Sequence, residues 1–155
     1  MSDTNAPNLV PITTTQALRD LCGSLSKADF VAIDTEFHRE NTYWSILCLI
    51  QVASPDVEGI IDPMASGIDM APLVELLLNP NVTKVFHAAR QDLEIFYKIC
   101  GNRLPSPVFD SQVAAMALGL GDSISYESLV GTLLGRGIDK SSRFTDWQRR
   151  PLTDR

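Results

Sequence analysis

The order of short apolar runs constrains this chain more than any other feature. Three follow one another closely, at residues 30–33 (FVAI), 46–52 (ILCLIQV) and 59–61 (GII), separated only by short polar stretches. Their lengths and β-branched content predict strands, and the gaps suit hairpin or meander connections. Beyond them the pattern alternates. It predicts a helix at 71–78, a strand at 84–87, a helix at 88–100, a strand at 107–110, and helices at 111–118 and 125–134. A meander followed by βαβ crossovers implies a mixed sheet covered by helices, an α/β layer architecture.

Local signals refine the boundaries. Residues 13–25 predict an amphipathic helix, with Thr13 and Gln16 spaced as a capping box and Ala17, Leu18, Leu21 and Leu25 as its apolar stripe. Pro72 fits a first helical turn, Asn79-Pro80 a stop, and Gly101 a C-terminal cap. Ser111 and Ser125 are candidate N-caps. Residues 1–155 read as one domain, with 1–10 a flexible start and 136–155 a basic, loop-like tail.

With 45% hydrophobic residues the chain can bury a sizeable core. No apolar run approaches the ~20 residues needed to span a membrane. The N-terminus lacks a basic start followed by an apolar stretch, so a cytosolic location is expected. Cys22, Cys48 and Cys100 have neither metal-ligand nor redox spacing and are expected as buried free thiols. Gly131, Gly135 and Gly137 do not have phosphate-loop spacing, so no nucleotide cofactor is expected.

The net charge of −6 argues at first sight against a nucleic-acid partner. The distribution answers this, because residues 136–155 hold six basic against three acidic side chains. Acidic residues gathered in a site also suit divalent cations, which reverse the local field.

Asp34-Thr35-Glu36 ends the first apolar run. Residues i and i+2 of an extended chain share a face, so the two carboxylates converge there and Thr35 points away. Two such groups repel unless a cation neutralises them, and a hard divalent ion with oxygen ligands does so most simply. The other reading is a solvated acidic pair at a strand end. Asp92 falls in the first turn of the helix in HAARQDLEIF, beside a stripe of Leu93, Phe96, Ile99 and Cys100. There it is either part of the same centre or an ordinary helix-start aspartate favoured by the macrodipole.

The segments DTEF (34–37), LCLIQVAS, IIDP, KVFHAARQDLEIF, VFDSQVAA and DKSSRFTDWQRRPLTDR together resemble ribonuclease D of the DEDD 3′-5′ exonuclease superfamily, collinearly from about Pro11 onward. The resemblance implies a ribonuclease H-like fold, with Asp34, Glu36 and Asp92 as catalytic metal ligands for two Mg²⁺ or Mn²⁺ ions. It implies hydrolytic trimming of RNA 3′ ends, transfer RNA precursors among them. It also implies a third motif, Tyr followed four residues later by Asp. Tyr43, Tyr97 and Tyr126 are instead followed at that spacing by Leu47, Gly101 and Val130. The chain is therefore expected to stop before that motif, lacking the C-terminal part of the domain and impaired in turnover. A DNA-directed exonuclease of the same superfamily, or a non-catalytic nucleic-acid-binding module, are the competing expectations.

Further residues carry two readings each. His87 positions substrate or serves structure. Asp110 caps a helix or supports the centre from behind. Tyr43 and Trp44 stack a base or cover the core. Gln51 donates to substrate or is a paired interior amide. Lys140, Arg143, Trp147, Arg149 and Arg150 contact phosphate or form a solvated end.

Overall fold

The computed structural model describes residues 10–40, 42–138 and 146–151. The expected flexible start therefore lies, up to residue 9, outside the described residues. So do 139–145 and 152–155 of the basic tail, including Lys140 and Arg143.

The chain runs α1 (Thr15–Leu25), β1 (Phe30–His38), β2 (Ile46–Ala53), β3 (Glu58–Ile61), α2 (Ala71–Leu78), β4 (Thr83–Phe86), α3 (Arg90–Ile99), β5 (Val108–Asp110), α4 (Ser111–Ala117) and α5 (Tyr126–Leu134). Five strands form one sheet in the order β3-β2-β1-β4-β5. The three early strands pair antiparallel. A tight turn closes β2 onto β3, where the Ser54 amide donates to the Val57 carbonyl at 2.7 Å. The helical connections α2 and α3 then deliver β4 and β5 parallel to β1, as crossovers must. The mixed sheet expected from the sequence is the one observed.

Alternation along β1 buries Val31, Ile33 and Thr35 on one face and turns Ala32 and Asp34 to the other. Leu18 and Leu25 of α1, Leu73 and Leu77 of α2 and Phe96 of α3 are fully buried on that inner side. Each such side chain contributes roughly 1.5–3 kcal/mol of hydrophobic stabilisation. α1 lies so close to β3 that a Cβ at Gly59 would fall 2.7 Å from Leu21 Cδ2. The three cysteines are buried and free, as expected. Among the described residues no helix is long and apolar enough to cross a membrane.

Lys84 is wholly buried. Its Nζ donates to the carbonyls of Asn79, Val82 and Ser106 at 2.7, 2.7 and 2.5 Å. All three ammonium donors are thus met, joining the α2–β4 turn to the approach of β5. Burial still pushes its pKa down to about 8.

Several expectations are corrected. The first helix is capped by Thr14, whose Oγ1 accepts from the Ala17 amide, and Gln16 bonds Asp20 instead of closing a box with Thr13. β1 continues to His38, so Asp34 and Glu36 lie within the strand rather than at its end. α3 starts at Arg90 rather than 88, because Ala88 takes a left-handed conformation (φ 58°) that a helix cannot contain. Its buried side includes Asp92 and Ile95, while Leu93 and Ile99 are half-buried. Asp110, not Ser111, caps α4, whereas Ser125 caps α5 as expected.

Candidate functional site

β1 outruns its parallel neighbour. It pairs with β4 only through Ala32, opposite Val85, but with β2 as far as His38. Past that point the first turn of α3 meets β1 instead of a strand. Thr35, 7% exposed and on the inner face, donates its hydroxyl to Asp92 Oδ1. Thr35, expected on the face opposite Asp34 and Glu36, is found there and links the two acidic motifs. A hydroxyl in phase with Val31 and Ile33 was the available signal, since a buried hydroxyl needs a partner.

Asp34 stands directly opposite Gln51 on β2, so the two share a face. The register shifts between Glu36 and Phe37, a bulge of the kind that re-aims side chains beside functional sites. Burial raises the Asp34 pKa, with the Thr35 amide and the nearby His87 opposing. The Glu36 carboxyl is pushed up to about 7, by burial and then by the charges of Asp34 and Asp92. Asp92 is raised by burial and by the Asp34 and Asp110 charges, against the Thr35 hydrogen bond. The carboxylates from β1 and α3 are near enough to feel one another.

The donor set, three carboxylates under mutual repulsion, fits the hard-cation chemistry expected of it. Among the described residues, however, no three His, Cys, Asp or Glu side chains are gathered closely enough to hold one ion by themselves. Asp92 Oδ1 is already engaged by Thr35.

The remaining candidates divide. His87 is engaged at both ring nitrogens, Nδ1 with Ser111 Oγ at 2.9 Å and Nε2 with the Ile124 carbonyl at 3.0 Å, and its ring lies 5.5 Å from that of Tyr126. It latches the α4–α5 connection onto the end of β4. Asp110 holds two helices at once. Its Oδ1 accepts from the amides of Ala88 and Gln112, and its Oδ2 from Ala89. Burial alone would raise its pKa, but these amides hold it below the usual range.

Gln51 is exposed on the Asp34 face, not a paired interior amide. Tyr43 and Trp44 are exposed, outside the core.

Arg150 is not free for phosphate. Its Nε and Nη2 grip Asp62 at 2.7 and 2.8 Å, Nη2 also reaches the Cys48 carbonyl, and Nη1 donates to the carbonyls of Trp147 and Arg149. The five guanidinium donors are all used inside the protein. Burial would raise the Asp62 pKa, yet the Arg150 hydrogen bonds, the Met64 amide and the guanidinium charge bring it below the ordinary value. Trp147 is half-buried and Arg149 exposed.

A family model described as 3′-5′ exonuclease matches residues 9–155. The chain belongs to the 3′-5′ exonuclease family. Within that family, ribonuclease D of Jannaschia sp. is 53% identical over 92% of this chain and 38% of the relative's length. The crystal structure of Escherichia coli RNase D, described as an exoribonuclease involved in structured RNA processing, superposes with a TM-score of 0.88 at 40% identity, over 96% of this chain and 39% of that one. Brucella melitensis NrnC with bound Mg²⁺ gives a TM-score of 0.70 at 29% identity, over 83% of this chain and 63% of that one. The chain thus spans well under half the length of the ribonuclease D relatives. The ribonuclease H-like α/β fold expected from the sequence is the fold these exonucleases have.

Proposed function

We propose that this domain removes nucleotides hydrolytically from RNA 3′ ends, structured RNAs such as transfer RNA precursors being the natural class, with divalent cations held by Asp34, Glu36 and Asp92. The observation that carries this reading is the Thr35 hydroxyl between Asp34 and Glu36 on β1 donating to Asp92 of α3, which ties the two acidic motifs together within electrostatic reach. Three carboxylates within electrostatic reach of one another have a reason to bind Mg²⁺ or Mn²⁺. Held by Asp34, Glu36 and Asp92, two such ions would supply an activated water and a neutralised leaving oxygen for phosphodiester hydrolysis.

The protein's own groups prepare that chemistry. The Thr35 hydroxyl fixes one oxygen of Asp92 and leaves the other for an ion. Gln51, facing outward beside Asp34, offers an amide to the terminal nucleotide. Support comes from the E. coli relative, an exoribonuclease, and from a structural neighbour that holds Mg²⁺.

The test is calorimetric titration with Mn²⁺ alongside single-turnover trimming of a 3′-labelled RNA. Mn²⁺ binding and a slow, metal-dependent loss of 3′ nucleotides, both abolished by Asp92→Asn, are expected. RNA retention without any Mn²⁺ binding would instead mark a non-catalytic binding module.

A further inference from the structure

The loop joining β1 to β2 carries two large aromatic rings to the surface. Tyr43 is 80% exposed and Trp44 45%. The rings meet edge to face at 4.9 Å between centroids. From the last turn of α3, Lys98 sets its ammonium 3.5 Å from the centroid of the Trp44 ring. One turn earlier Glu94 pairs with Arg39 of the same loop at 3.6 Å. Two contacts therefore tie the loop to α3, the helix whose first turn holds Asp92. Lys98 lies six residues on, about 9 Å along the helix axis.

Neither ring belongs to the hydrophobic core, so packing does not account for them. An exposed aromatic face beside a fixed cation is the chemistry that takes single-stranded nucleic acid, a base on the ring and a phosphate on the charge. Lys98 covers one side of Trp44 and holds its orientation, which leaves Tyr43 as the open stacking surface.

We propose that Tyr43, Trp44 and Lys98 form a docking platform for a single-stranded nucleic acid, with Tyr43 stacking one base and Lys98 contacting a neighbouring phosphate. The direction of the strand rests on the exonuclease reading, which brings its 3′ end to Asp34, Glu36 and Asp92. Every base has a stackable face, so the platform is indifferent to sequence. A duplex, whose bases are already stacked, is a poor occupant.

The experiment measures the anisotropy of a labelled oligouridylate of about twelve nucleotides, a length within ordinary single-strand site sizes, against the 155-residue chain in EDTA. Tyr43→Ala is expected to weaken binding roughly 5- to 140-fold, the range of one lost base stack. Tyr43→Phe, which keeps the ring, should bind like the parent. Lys98→Met should reduce the slope of log K against log salt by about 0.7, the loss of one single-strand phosphate contact. Parent-like binding by Tyr43→Ala, equal losses in Tyr43→Ala and Tyr43→Phe, or no binding by the parent would each overturn the platform. Mn²⁺-dependent trimming that needs Asp92 but ignores Tyr43 leaves the exonuclease reading standing without it. A ring-dependent complex with no Mn²⁺ binding does the reverse.

Discussion

The fold moves the Glu36 carboxyl up to about 7, from burial first and then the charges of Asp34 and Asp92. In the unfolded chain a glutamate titrates near ~4.3. Between those values the folded state holds a proton that the unfolded state has released, so stability falls as pH rises. The contribution of Glu36 is fully present below the unfolded pKa and lost on passing the folded one. Asp34 and Asp92 are shifted in the same direction. In EDTA the thermal midpoint is therefore expected to fall between pH 5 and pH 8. Glu36→Gln should flatten that fall and lie above the parent at pH 8, at the expense of metal binding. Superimposable pH profiles for the two proteins would refute this account. The acidic pair was legible in the sequence as two residues on one strand face. Its pKa was not, because that depends on burial in the folded chain and on Asp92, 56 positions after Glu36.

Asp110 shows how elements are set against each other. One carboxylate accepts the first amides of α4 and of the left-handed turn before α3, and so determines where α3 begins. Asp110→Ala leaves three amides to find other partners, a loss of about 1–2 kcal/mol in urea unfolding. It should also weaken Mn²⁺ binding, since α3 carries Asp92. Lost stability with undiminished Mn²⁺ affinity would show that Asp110 supports the helices without positioning the site. Helix and strand periods were readable throughout, whereas the starts of α3 and α4 were not. Alanine has a strong intrinsic helical preference, and nothing local to Ala88 announces the turn that Asp110 imposes on it.

Over the whole molecule, Arg150 closes the described C-terminal segment onto β2 and the loop after β3. Its partner Asp62 is 7% exposed at the side chain and Arg150 27%. Arg150→Met strands a buried carboxylate and should cost about 2–4 kcal/mol in chemical denaturation. At a temperature where the variant stays folded, its affinity for single-stranded RNA should match the parent's. A salt-dependent loss of RNA affinity with little change in stability would restore Arg150 as a phosphate contact.

Periodicity, breaker residues and the spacing of short apolar runs determined the order of elements, the mixed sheet and the buried thiols, and the resemblance of short motifs to ribonuclease D picked out the three acidic residues. All of these are properties of a few neighbouring positions. Tertiary structure alone decided what the polar groups do. Thr35 reaches Asp92 across 57 positions, Arg150 reaches Asp62 across 88, and Lys84 is enclosed by three carbonyls. A hydroxyl, guanidinium or ammonium looks the same in a sequence whichever acceptor it will meet. The order of the strands brings that acceptor within reach, and desolvation then decides whether the group serves the fold or a ligand.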